Sequence, residues 1–151
     1  LVSRRKKTIK TNFTIPMPKD VLEGAGASNT ISFSAEKVKT KIDVSRADQH
    51  FRFDISVRMG LNLTEILFPL DVVAAKEELE TACSNEIRRQ LTALVAKFQK
   101  NQLDPVGFGD YARAHQYAAF LKVQDQWGQS FSQADIHINV KATLADIGAI
   151  E

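Results

Sequence analysis

The sequence predicts an α+β fold: an antiparallel sheet of mixed strand order with about four strands, and three helices packed on one face. Three observations carry that expectation. Across residues 51–63 every odd position is apolar and every even one is polar or glycine, the period-two pattern of a half-buried strand. Ala75, Leu79, Cys83, Ile87, Leu91, Leu94/Val95 and Phe98 recur at spacings of three and four, which is the stripe of an amphipathic helix. Near the end, Ile136, Ile138, Val140, Ala142 and Leu144 alternate with His137, Asn139, Lys141 and Thr143, so a further strand returns to the sheet after the helices.

In chain order, a first, weaker strand runs from Ile9 through Thr11 and Phe13 to Ile15 and is stopped by Pro16 and Pro18, since proline cannot donate to a ladder. Residues 19–29, with Gly24 and Gly26, read as a loop within one domain. Ile31, Phe33 and Ala35 are apolar on odd positions, whereas Val38, Ile42 and Val44, with Thr40, are on even ones against Lys37, Lys39, Lys41 and Asp43. One regular strand cannot keep both sets on the same face. Either a β-bulge near Glu36 and Lys37 inserts an extra residue, which is the favoured reading, or two strands meet at a bend. The segment then pairs with residues 51–63 as a hairpin, with 47–50 as its turn. Charge suggests the register: Val44 opposite Phe51 sets Asp43 against Arg52 and Lys41 against Asp54, whereas Val44 opposite Phe53 sets Asp43 against Asp54. Opposite charges across a pair contribute roughly 0.2–1 kcal/mol, so the wider loop is expected. Asp71 is placed to cap the long helix, with Glu77 and Glu78 near its start and Lys97 and Lys100 near its end suiting its dipole. A second helix is expected with Asp104 as cap and Pro105 in the first position. A third carries Phe120, Val123, Trp127 and Phe131.

At 151 residues the chain is long enough for one domain, 1–151, with its own core. Its net charge of +2 points to no particular partner. Its apolar runs fall far short of the roughly 20 residues of a spanning helix. The absence of an initiating Met, a leader and an early Cys reads as an excised fragment or processed product. The lone Cys83 sits on the helix stripe, where a thiol acts as a small hydrophobe. His50, His115 and His137 have no paired spacing, so no metal motif stands behind them, and His137 alternates onto the polar sheet face. There is no nucleophile elbow and no phosphate-cradling loop, and Gly107-Phe108-Gly109 is too short for a dinucleotide fingerprint. No cofactor and no catalytic residue are expected. The basic run Arg4-Arg5-Lys6-Lys7 lacks the interleaved aromatics of single-strand nucleic-acid surfaces, and no nucleic-acid partner is expected. Phe108, Tyr111, Phe120, Trp127 and Phe131 either seal helices to the sheet, the default for aromatics at helical spacing, or line a ligand pocket.

Asp104-Pro105-Val106-Gly107-Phe108-Gly109, then Trp127 with Phe131, then Asn139-Val140-Lys141 and Gly148, follow the amphipathic helix in a linked order. This order over residues 79–150 resembles the C-terminal end of the Ger(x)C family, the lipoprotein C subunits of bacterial spore germinant receptors. Members often carry a second aromatic, commonly Trp, ahead of the later Trp, and Phe120 stands in that place. The resemblance implies a C-terminal domain of a larger lipoprotein on the outer face of the spore inner membrane. That protein would work with other, membrane-embedded receptor subunits and contact the membrane through a lipid anchor outside this fragment, which is itself soluble. It implies a non-enzymatic interaction domain for nutrient-triggered germination, with Lys39, Lys41, Arg52 and Arg58 on the polar sheet face as the candidate surface. The alternative is a nutrient-binding module with a pocket between sheet and helices around Phe108 and Trp127.

Overall fold

The computed structural model describes residues 11–16, 30–66 and 75–145. Ile9, Pro18, the loop 19–29, Asp71, Gly148 and the run Arg4-Arg5-Lys6-Lys7 lie outside the described residues. Four strands, β1 (Thr11–Pro16), β2 (Thr30–Ala47), β3 (His50–Ile66) and β4 (Asp135–Leu144), form one sheet in the order β1-β2-β3-β4. Between β3 and β4 in the chain come α1 (Lys76–Lys100), α2 (Phe108–His115), α3 (Tyr117–Leu121), a 3-10 turn (Gln124–Gln126) and α4 (Trp127–Ser132). The α+β class and the four strands are as the sequence predicts. The direction of the last strand and the number of helical pieces differ.

β1 runs antiparallel to β2, with Thr11 opposite Ala35 and Ile15 opposite Ile31. β4, in contrast, runs in the same direction as β3. Near its start Asp135 acts electrostatically on Arg52, and just past its end the Ala145 N–H donates to the Leu61 carbonyl at 2.8 Å. The sheet is therefore mixed. Alternation tells which residues face the core and says nothing of strand direction. The helices between β3 and β4 supply the long crossover that a parallel pair needs.

The chain packs as two compact units, one made of residues 1–39, 58–86 and 140–151, the other of 40–57 and 87–139. In the first, Phe33, Ala35, Leu61, Ala75, Leu79, Cys83, Ala142 and Leu144 form the core, with Met59, Leu63 and Ala82 packed against it. Phe33 and Ala35 are odd-numbered, yet Ile42 and Val44 are the inward members further along β2. The change of parity occurs at Lys37, whose φ of 53° is left-handed, within an unbroken strand. The bulge reading is the one realised. Gly60 lies opposite it: a Cβ there would sit 3.6 Å from both the Cγ and the carbonyl oxygen of Glu36.

In this unit α1 also serves the outer edge of β4. The Ser84 hydroxyl accepts from the Ala142 N–H at 3.0 Å and donates to the Glu80 carbonyl at 2.7 Å. The Glu80 carboxylate accepts from the Leu144 N–H at 2.9 Å. Two edge donors that would otherwise stand open are thus satisfied by helix side chains, one of the ways proteins blunt a sheet edge.

In the second unit the hairpin turn is Asp48-Gln49, with φ of 50° and 67°. Two successive left-handed residues make a type I′ turn, whose twist matches that of the strands. Counted back from the closing residues Ala47 and His50, Val44 lies opposite Phe53 and Asp43 opposite Asp54. This corrects the register expected from charge. The carboxylates are instead paired along their own strands: Arg52 holds Asp54 by hydrogen bonds of 3.1 and 3.2 Å, and Lys41 lies 3.8 Å from Asp43. With each acid beside a base two residues away, the tight turn outweighs the like-charge pair.

The second unit buries Phe51, Phe53, Ile55 and Val57 of β3 with Val95, Phe108, Ala112, Phe131, Ala134 and Ile138. α1 ends in a Schellman motif: the Leu103 N–H returns to the Phe98 carbonyl and the Gln102 N–H to the Gln99 carbonyl, with Gln102 left-handed at φ 53°. The Gln99 side-chain amide donates to the Phe131 and Ala134 carbonyls at 2.9 and 2.8 Å, tying the end of α1 to the approach to β4.

Candidate functional site

The segment after α1 builds around one carboxylate. The sequence points to Asp104 as the cap of a helix starting at Pro105, but Pro105 and Val106 form a turn and α2 starts at Phe108 behind the left-handed Gly107, φ 90°. Asp104 caps that helix from a distance. Its Oδ1 accepts from the Gly107 and Phe108 N–H groups at 2.9 and 2.8 Å, and its Oδ2 accepts from the Gly109 N–H at 2.7 Å. These donors belong to the helix start, which has no intrahelical partners for them. Oδ2 also accepts from Trp127 Nε1 at 2.9 Å. A negative charge at the positive end of α2 thereby anchors the indole of α4. The sequence suggests the capping role, but not the indole partner, which lies 23 residues away.

The indole is close-packed as well as hydrogen-bonded. Trp127 meets Phe51 edge-on at 5.3 Å between ring centroids, Phe120 at 5.5 Å, and Phe53 and Phe131 at 6.4 Å. Phe108 stacks on Phe131 at 5.3 Å and meets Phe53 edge-on at 5.0 Å. A Cβ on Gly109 would stand 2.9 Å from Trp127 Nε1, so glycine at this position is what admits the indole. Gly128 admits the Gln102 carbonyl in the same way, at 2.8 Å from its would-be Cβ. The structure brings Phe108, Phe120, Trp127 and Phe131 into ring contact with one another. Phe108 and Phe131 are buried, and Tyr111 is half-buried on α2. The single third helix expected to carry Phe120, Trp127 and Phe131 is instead broken into α3, the 3-10 turn and α4. Those breaks let rings at helical spacing turn toward one Asp104-anchored cluster.

The four candidate surface residues divide between the units. Lys39 and Arg58, in the first, are exposed; so is Lys41 in the second, whereas Arg52 is half-exposed and engaged with Asp54. That hydrogen bond, with the charge behind it, raises the Arg52 pKa further above its ordinary value. His50, His115 and His137 are all exposed. Cys83 is fully buried, and burial, with the charge of Glu80 adding to it, pushes its thiol up to about 12. A thiol in that state is protonated and inert at neutral pH. In the first unit an open groove of about 370 Å³ is lined by residues of α1 and β4, including Glu80, Ser84 and Lys141. Glu80 and Ser84 already serve β4. Among the described residues no buried side-chain polar atom lacks a partner, and no helix is long and apolar enough to cross a membrane.

The comparisons agree with this architecture. The family described as "Spore germination B3/ GerAC like, C-terminal" matches residues 2–148. A curated relative, "Spore germination protein YndF" of Bacillus subtilis (strain 168), is 22% identical over 128 residues, covering 83% of this chain and 32% of its own. A solved structure described as "Crystal Structure of the GerBC protein" superposes with a TM-score of 0.72 at 23% identity, over 90% of this chain and 41% of that one. The chain thus spans about a third of the curated relative and about two-fifths of the solved one. With that match over nearly its whole length, the chain belongs to the family of GerAC-like C-terminal domains of spore germination proteins.

Proposed function

We propose that this is a non-enzymatic interaction domain of a spore germinant receptor C subunit, acting in nutrient-triggered germination by contact with the other receptor subunits. The observation that supports the reading is how the polar and aromatic groups around Asp104 are engaged. Asp104 gives both carboxylate oxygens to the domain's own donors, and the rings of Phe108, Trp127 and Phe131 pack on one another and on β3. The polar side of the sheet, by contrast, leaves Lys39, Lys41 and Arg58 exposed. Charged groups that no packing needs are the natural material of a complementary protein contact. The longer protein would be held by a lipid at the outer face of the spore inner membrane, with this domain presented to membrane-embedded partners. The test is Lys39, Lys41, Arg52 and Arg58 each changed to Glu in the full-length protein in spores. Germination in response to nutrient is expected to fall while the protein accumulates normally. Unchanged germination at normal protein levels would remove this face as the interface.

A further inference from the structure

Among the described residues β1 pairs only with residues 30–35 of β2, whereas β2 continues to Ala47. Over residues 40–47 the side of β2 away from β3 has no described partner. The type I′ turn decides which groups lie on that side. Ala47 and His50 form the hydrogen-bonded pair that closes a two-residue hairpin, so Ser45, Asp43 and Lys41 direct their backbone groups toward β3. Arg46, Val44, Ile42 and Thr40 direct theirs outward. Ile42 and Val44 are half-buried. Lys41 and Asp43, on the polar face, have side chains 77% and 65% exposed.

We propose that this edge of β2 is a homodimer interface, to which a second copy of the chain adds antiparallel about a two-fold axis at Ile42. In that register Ile42 faces the partner's Ile42 and Thr40 faces the partner's Val44, so outward-pointing backbone groups meet one another. Lys41 then faces the partner's Asp43, and Asp43 the partner's Lys41. Both ionic pairs fall at non-hydrogen-bonded positions, where facing side chains come closest. A two-fold contact must be self-complementary, and this segment is so in one register only. With the axis shifted to lie at Lys41, the two lysines face each other, and at Asp43 the two aspartates do. The existing Lys41–Asp43 contact, 3.8 Å and exposed, is of the kind that contributes little, so exchanging it for pairs across the interface sacrifices little. Lysines along an edge strand ordinarily deter pairing; Asp43 converts that deterrent into a register signal.

Sedimentation velocity of the 151-residue chain over a wide concentration range tests the proposal. A monomer–dimer equilibrium is expected. Lys41→Asp, which turns two attractions into repulsions, should weaken it by about tenfold or more, and Lys41→Asp combined with Asp43→Lys should restore it. Circular dichroism of the exposed-site variants checks that the fold is kept. A chain that stays monomeric throughout, a dimer indifferent to Lys41→Asp, or a dimer that appears only when residues 1–10 are removed would each overturn it. The last result would mean that the chain fills its own edge.

Discussion

Replacing Asp104 with alanine removes the acceptor of four hydrogen bonds, three from the start of α2 and one from Trp127, all between 2.7 and 2.9 Å. Loss of a helix cap costs about 0.5–2 kcal/mol. A hydrogen bond to a charged group contributes about 1.5–3 kcal/mol. Asp104 is half-buried, so water replaces part of what is lost, and a destabilisation of about 3 kcal/mol is expected once both contributions are discounted for it. Asp104→Asn keeps one acceptor oxygen and should cost roughly half as much. Urea unfolding followed by Trp127, the chain's single tryptophan, reads both. Circular dichroism with Trp127→Phe in each background isolates the pair, with a coupling of about 1 kcal/mol expected. An alanine variant within about 0.5 kcal/mol of the parent, the range of ordinary surface changes, would refute the idea that this carboxylate organises the segment.

Gly109→Ala forces a Cβ to within 2.9 Å of a rigid indole. It should destabilise by about 1–3 kcal/mol, as overpacking does, and shift Trp127 emission; a neutral result would mean that the ring moves freely. Cys83 should resist thiol reagents in the folded chain at pH 8 and react once the chain is unfolded, as a reagent assay with and without urea shows. Its folded pKa of about 12 stands above the ordinary 9.0, so the protonated folded form is favoured. The associated stability is complete below pH 9 and is lost as pH rises toward 12. Denaturant midpoints measured across that interval should fall less steeply in Cys83→Ala.

β3 was fully legible in the sequence because strict alternation over Phe51, Phe53, Ile55, Val57 and Leu61 admits one inward face, and each of these residues is buried. The bulge was legible for the same reason: Phe33 and Val44 cannot share a face without an extra residue between them. The hairpin register was not. Weighing charges only across strands overlooked pairs along one strand, Arg52 with Asp54 and Lys41 with Asp43. Asp48-Gln49 also lacks the glycine that usually marks a type I′ turn. The breaks at Val123 and Gln126 were hidden because Phe120, Val123, Trp127 and Phe131 fit a continuous helix equally well. Of the site, helical spacing singled out Phe108, Phe120, Trp127 and Phe131 but not their ring partners Phe51 and Phe53 on β3, and the Asp104–Trp127 bond and the service of Ser84 and Glu80 to β4 likewise depend on long-range contacts that no local pattern encodes.

The division into two packing units has a consequence for how the chain folds. β2, β3, α1 and β4 each give one part to each unit, so the backbone passes between them four times. No single cut releases either core with its elements whole, and a proteolytic fragment or truncation designed to isolate one would sever strands in both. Each core nevertheless carries its own natural reporter, Cys83 in the first and Trp127 in the second. Thiol accessibility and indole emission therefore follow the two cores separately in the unmodified chain, making the cooperativity of its unfolding measurable without an introduced label.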